Sequence, residues 1–145
     1  MSQCTRRTFL ALSARMGVGA LALTQLPGCG GAPVDGSVTP TNGTVQLTFA
    51  QFPNLQTVGT GVVVDAGGTL VVVIRTAEAT AIGLSAICTH EGCTVQYVGG
   101  GTPIHCACHD SNFSATGTVV SGPARTSLRN YSATVATDGI TVTLA

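Results

Sequence analysis

Val45-Gln46-Leu47-Thr48-Phe49 alternates apolar and polar side chains with a period of two, which predicts a strand with one buried and one wet face. Val62-Val63-Val64 and Leu70-Val71-Val72-Val73-Ile74 flank Asp65-Ala66-Gly67-Gly68 and predict a hairpin. Its arms are apolar without interruption, so both of their faces need cover. Near the C-terminus, Tyr131 to Val135 and Ile140 to Leu144 enclose Thr137-Asp138-Gly139, and Asp-Gly is a strong hairpin signal. Between these outer strands lie two short extended pieces, Thr94 to Tyr97 and Thr102 to His105, separated by Gly99-Gly100-Gly101. They suggest a smaller insert carried by a larger sheet. Beyond the first 28 residues no long segment has the period of a helix, and the fold class is all-β.

The N-terminal region has a different character. Thr5-Arg6-Arg7-Thr8-Phe9-Leu10 stands ahead of the apolar run Met16 to Leu26, which is 11 residues long and too short to span a bilayer comfortably. Residues 1–28 therefore resemble a twin-arginine export signal, a route that carries folded proteins. Leu26-Pro27-Gly28-Cys29 resembles a lipoprotein cleavage box, in which Cys29 would become the lipidated first residue; an ordinary cleavage site or an uncleaved anchor is the alternative. Residues 29–43 are rich in Gly, Pro, Ser and Thr, the composition of a flexible linker. As a coil, the 14 residues from Gly30 to Gly43 would span ~20 Å root-mean-square. Residues 44–145 form the single expected domain. The implied location is the periplasmic side of a bacterial membrane, with membrane association through leader or lipid.

Composition narrows the function. Charged residues are 8% of the chain and lysine is absent, so the basic surface that phosphate neutralisation requires is missing and nucleic acid is not an expected partner. From Cys29 onward, three arginines stand against six acids, a formal charge of −3.

Cys88-Thr89-His90-Glu91-Gly92-Cys93 reads C-x-H-x-x-C, and Cys106-Ala107-Cys108-His109 reads C-x-C-H, with 15 residues between His90 and Cys106. Two cysteines and two histidines could make a closed zinc site that only holds loops together. Zinc sites of that composition usually pair C-x-x-C with H-x-x-H, and the interleaved order here is different. The pattern over Leu84 to Arg125 closely resembles that of the Rieske family, C-x-H followed by C-x-x-H, in its disulfide-bearing branch. The resemblance implies an antiparallel β-sandwich base domain with a small cluster-binding subdomain, and one [2Fe–2S] cluster. It implies Cys88 and Cys106 as thiolate ligands of the inner iron and His90 and His109 as imidazole ligands of the outer iron. It leaves Cys93 and Cys108 to form a disulfide, whose 16-residue loop corresponds to ~3 kcal/mol by the chain-entropy estimate.

With two thiolates and neutral imidazoles, the oxidised site carries no net charge and gains one negative charge on reduction. Four thiolates would leave it at three. The lower charge raises the potential toward roughly −150 to +300 mV, against about −400 mV for an all-thiolate cluster. Further residues fall on the family pattern. Ser111 stands where the high-potential branch has a serine bonded to a sulfide, and Phe113 where it has a tyrosine bonded to a cysteine sulfur, so the missing hydroxyl predicts a lower potential. Gly122 and Pro123 open the family's proline loop, whose usual final proline is Arg125 here. Glu91 occupies a position that is commonly leucine in quinol-oxidising members, and a carboxylate is costly to place in an apolar quinone pocket. Asp110 replaces the usual glycine before Ser111. His105 reads as a polar side chain on the strand entering the second loop.

These residues imply a one-electron carrier with redox protein partners, either a tethered shuttle or a subunit of a periplasmic or membrane oxidoreductase. The alternatives are the iron–sulfur subunit of a quinol–cytochrome c reductase type complex or of an arsenite-oxidase-like enzyme. No substrate pocket is legible, so an enzymatic role would belong to a complex. Electron transfer through the imidazole edges of His90 and His109 is the expected route, with coupled proton uptake lowering the midpoint by ~59 mV per pH unit where one proton follows each electron.

Overall fold

The uninterrupted apolar runs around Asp65 and Gly68 explain the centre of the fold. In the computed structural model, which describes residues 34–144, they form strand β3 (Thr60–Ala66) and strand β4 (Thr69–Ala77). The two are antiparallel, with Val63 opposite Val72. Gly67 and Gly68 turn the chain at φ of 63° and 93°, and the Asp65 side chain accepts a bond from the Gly68 N–H at 2.6 Å. Successive side chains enter two different cores. Val62, Val64, Ala66, Val71 and Val73 face one, while Val63, Val72 and Ile74 face the other. Each is buried, which is why neither strand shows an alternating pattern.

The first core lies inside a curled seven-stranded sheet. In addition to β3 and β4 it contains β1 (Gly36–Ser37), β2 (Thr44–Thr48), β5 (Thr80–Ser85), β10 (Asn130–Val135) and β11 (Gly139–Thr143). The strand order is β1-β3-β4-β5-β10-β11-β2. Val45 and Leu47 of β2 and Ile140 and Val142 of β11 share this core with the inward valines of β3 and β4, so the sheet folds over itself in a sandwich-like manner. The β10–β11 hairpin turns at the Asp138-Gly139 pair, as the sequence predicts. A 3-10 turn, Pro53–Gln56, closes one end with buried Leu55, and Arg75 donates to the carbonyls of Leu55 and Gln56 at 3.1 Å each.

Part of the stretch read as linker is drawn into this sheet. β1 runs parallel to β3. The Asp35 N–H donates to the Val63 carbonyl, the Val63 N–H donates to the Asp35 carboxylate, and both bonds measure 2.7 Å. Glycine at 36 permits this approach, because a β-carbon there would lie 3.1 Å from the Phe52 ring. Polar composition hides the strand because β1 contributes backbone bonds and little apolar surface. Residues 1–28, Cys29 and the start of the linker lie outside the described residues.

The insert between β5 and β10 forms a second sheet in the order β6-β7-β8-β9: β6 (Gln96–Tyr97), β7 (Ile104–Cys106), β8 (Ser111–Phe113) and β9 (Val119–Ser121). Its inner side chains, Ile104 and Phe113 among them, pack with Val63, Val72, Ile74 and Leu84 in the second core. Tyr97 pins the insert to the large sheet, since its hydroxyl donates to the Gly59 carbonyl. The architecture is all-β, a curled base sheet carrying a small subdomain.

Candidate metal centre

Three loops meet at the outer end of the subdomain. The first follows β5. An isolated bridge pairs Ile87 with Thr94, the Cys88 N–H donates to the Cys93 carbonyl at 2.8 Å, and the Gly92 N–H donates back to the Cys88 carbonyl at 3.0 Å. These bonds fold 88–93 into a tight loop. The second loop is the turn between β7 and β8, where Cys106 pairs with Ser111 and Asp110 takes a left-handed φ of 59°. That conformation suits the glycine of the family pattern, and aspartate is among the few side chains that tolerate it. A disulfide joins Cys93 to Cys108 and so ties the two loop tips together.

The third loop, 122–126, caps the other two. The Ala124 N–H donates to the Ser111 hydroxyl oxygen at 3.2 Å, and the Thr89 hydroxyl donates to the Thr126 carbonyl at 2.6 Å. Gly122 makes the contact sterically feasible. Its φ is 94°, and a β-carbon there would lie 2.5 Å from both the Asp110 carbonyl oxygen and the Ser111 Cα. The Thr89 bond has no signature beyond the variable position in C-x-H, and its role emerges only when the third loop is in place.

Cys88 and Cys106 are free, buried thiols. Burial pushes the Cys106 thiol up; the backbone of Cys108 and His109 opposes this, and the hydrogen bond and charge of Cys88 add to it. Two thiolates side by side in this setting need a cation for company. Outside them, the Nδ1 atoms of His90 and His109 face each other at 3.3 Å. The rings stand perpendicular, at 87° with centroids 4.8 Å apart. Two imidazoles on one tetrahedral ion with N–metal bonds near 2.1 Å would hold their nitrogens roughly 3.4 Å apart. The pair therefore fits a shared metal with little movement. Ser111 is fully buried, and among the described residues its one hydrogen bond uses the oxygen as acceptor, which leaves the hydroxyl proton without a partner there. A sulfur acceptor between the loops would satisfy it. Buried thiols inside, imidazoles outside and a buried hydroxyl donor together fit a [2Fe–2S] cluster.

The outer nitrogens face a carboxylate. Glu91 lies 4.0 Å from His90 Nε2 through one oxygen and 3.7 Å from His109 Nε2 through the other. His105 has a separate network: its Nδ1 is 3.0 Å from the Asn112 side-chain oxygen, its Nε2 is 3.8 Å from Asp110, and the Asn112 amide donates to the Asp110 carbonyl and the Ser121 hydroxyl. Asn112 was not singled out by sequence, because it has no family motif and acts by bracing the second loop. Phe113 is fully buried in β8 opposite Ile104.

Known proteins resemble this chain in sequence and in fold. The Rieske [2Fe–2S] domain family matches residues 49–132. The cytochrome b6-f complex iron-sulfur subunit of Synechococcus sp. (strain JA-3-3Ab) is 42% identical over 69 residues, covering 48% of this chain and 40% of that subunit. Its counterpart from Chlorobaculum thiosulfatiphilum is 34% identical over 84 residues, covering 58% of this chain and again 40% of the relative. The chain thus matches about two fifths of the length of these curated relatives. The crystal structure of the plasma membrane Rieske protein of Synechocystis PCC 6803 shares the fold with a TM-score of 0.55 at 24% identity, covering 68% of this chain and 97% of that one. The ferredoxin of carbazole 1,9a-dioxygenase from Nocardioides aromaticivorans IC177 does so with a TM-score of 0.54 at 21% identity, covering 69% and 95%. With its fold, its paired loops and more than half of its length matched, the chain belongs to the Rieske family, whose domain binds a [2Fe–2S] cluster.

Proposed function

We propose that this protein is a one-electron carrier whose cluster is held by Cys88 and Cys106 on the inner iron and by His90 and His109 on the outer iron. The observation that carries the reading is the facing pair of Nδ1 atoms at 3.3 Å beside two buried free thiols. A [2Fe–2S] cluster held there would supply reversible one-electron redox chemistry. The protein's part is to position and shield. Cys88 and Cys106 keep the inner side dry, being 3% and 2% exposed. The side chains of His90 and His109 are 28% and 46% exposed, which leaves imidazole edges at the surface as the electron's route. Ser111 supplies a buried hydroxyl donor, which favours the reduced and more negative state. Gly122 to Thr126 limits water access from the third side.

The proposal extends to location. A twin-arginine leader would export the folded domain, and lipidated Cys29 would hold it at the membrane. Because Asp35 is already bonded to β3, about five residues would separate such an anchor from the sheet, a coil of roughly 12 Å against the ~20 Å of the full linker. The partners are redox proteins. A second reading, the iron–sulfur subunit of a quinol–cytochrome type complex, is favoured by the curated relatives, which are subunits of cytochrome b6-f complexes.

The test is the metal and sulfide content of the purified protein. About two irons and two acid-labile sulfides per chain are expected, with visible bands that bleach on one-electron reduction. His90→Ala and His109→Ala should each abolish the bands. Zinc in place of iron, or bands untouched by either substitution, would overturn the assignment.

A further inference from the structure

Glu91 is placed unlike any other acid in the domain. Its two carboxylate oxygens each approach a different imidazole, His90 Nε2 at 4.0 Å and His109 Nε2 at 3.7 Å. The Nδ1 atoms of the same rings are turned inward toward each other, so the carboxylate straddles the outward edges. Its side chain is 61% exposed and is therefore available to a docking surface. Asp110, 89% exposed on the neighbouring loop, adds a second negative charge to this end. No described arginine forms an ion pair with the first charge: Arg75 is spent on the backbone carbonyls of Leu55, Gln56 and Glu78, and neither Arg125 nor Arg129 pairs with Glu91 among the described residues.

We infer that this carboxylate selects the partner: the electron leaves through a negatively charged tip that fits a redox protein presenting lysine or arginine side chains around its own cofactor, and disfavours a neutral quinol in an apolar pocket. The inference rests on the proposed carrier function and on the imidazoles being its exit. Burying the Glu91 charge in an apolar quinol site would leave it unpaired. A cationic rim would pair it and draw the partner's cofactor edge to the two rings. Glu91 is in this sense a specificity-determining residue that acts on the approach of the partner.

Two outer-sphere oxidants of similar strength and opposite charge test this on the full, cluster-loaded chain: tris(phenanthroline)cobalt(III), a trication, and ferricyanide, a trianion. Each takes one electron from the reduced protein, which returns to the oxidised form. Stopped-flow oxidation rates are compared for the unaltered protein, Glu91→Gln and, as a distant control, Glu78→Gln on the β4–β5 turn. Removing one charge near the exit should lower the rate with the cation and raise the rate with the anion, changing their ratio by about fivefold or more at low salt and progressively less as salt screens the charge. Glu78→Gln should leave the ratio unchanged. A shift in midpoint potential alone would move both rates in the same direction. If Glu91→Gln does so, or if the ratio does not respond, the inference is overturned while the carrier function stands. If the protein holds no reducible cluster, the carrier function itself has failed.

Discussion

At the scale of single residues, the site depends on a few positions where geometry admits little choice. Gly122 is one, because a side chain there would collide with the backbone of the second cluster loop and would also demand a strained φ. Gly122→Ala should push the capping loop away from Ser111, and visible absorbance should decay faster than in the unaltered protein; an equal decay rate would show that the cap does not protect the cluster. Phe113 is another. It is fully buried, so a hydroxyl added to the ring costs about 1–3 kcal/mol unless it finds a partner. A cysteine sulfur of the site would be that partner, and the bond would favour the reduced state. Phe113→Tyr should therefore raise the midpoint potential, measured by redox titration, and an unchanged or lower midpoint would refute the role given to this position. The proposed ligand residues are legible in two short motifs, since cysteine and histidine in that interleaved order have few other uses. The contacts of Thr89 with Thr126 and of Glu91 with His109 are not legible there, because each depends on loops distant in sequence closing on one another, and Asn112 braces the second loop through side-chain bonds that no motif marks.

At the scale of elements, legibility followed burial. β3 and β4 announced themselves as runs of valine because both faces are covered, and β10 and β11 did so through their Asp-Gly turn. β5 has no clear strand pattern in the sequence, since Gly83 stands at its centre, where glycine usually marks a break. The structure gives the reason for glycine: a β-carbon at 83 would lie 2.9 Å from a Val142 methyl and 3.3 Å from the Tyr131 carbonyl oxygen, closer than a side chain fits without a shift. β1 is hidden in the sequence for a different reason: its two residues, Gly36 and Ser37, join β3 by backbone pairing and carry no apolar side chain. Tyr97 is one polar tie between the insert and the large sheet, and burial pushes its phenol up from the usual value of 10.0. The native state then retains a proton that the unfolded chain loses, so stability is present below about pH 10 and declines as pH rises through the native value. Tyr97→Phe should cost about 1 kcal/mol at neutral pH and should flatten the decline in melting temperature above pH 10. A variant with the same alkaline slope would place its cause elsewhere.

At the scale of the whole molecule, a base sheet presents three loops whose ends are joined by the Cys93–Cys108 disulfide and two backbone-to-hydroxyl contacts. The disulfide closes a loop between residues 15 apart in sequence and should contribute about 3 kcal/mol. Replacing both cysteines with serine should lower the melting temperature and speed cluster loss together; a drop in melting temperature with no change in cluster lifetime would mean that the bridge stabilises the fold without holding the site. The central claim is narrower than stability, since it concerns which atoms touch the outer iron. Pulsed electron paramagnetic resonance of the reduced protein addresses it directly. Two imidazole nitrogens should couple to the unpaired electron, and both signals should change when the protein is grown on isotopically labelled histidine. A reduced cluster with no such couplings, or with couplings indifferent to the label, would contradict the placement of His90 and His109 on the iron.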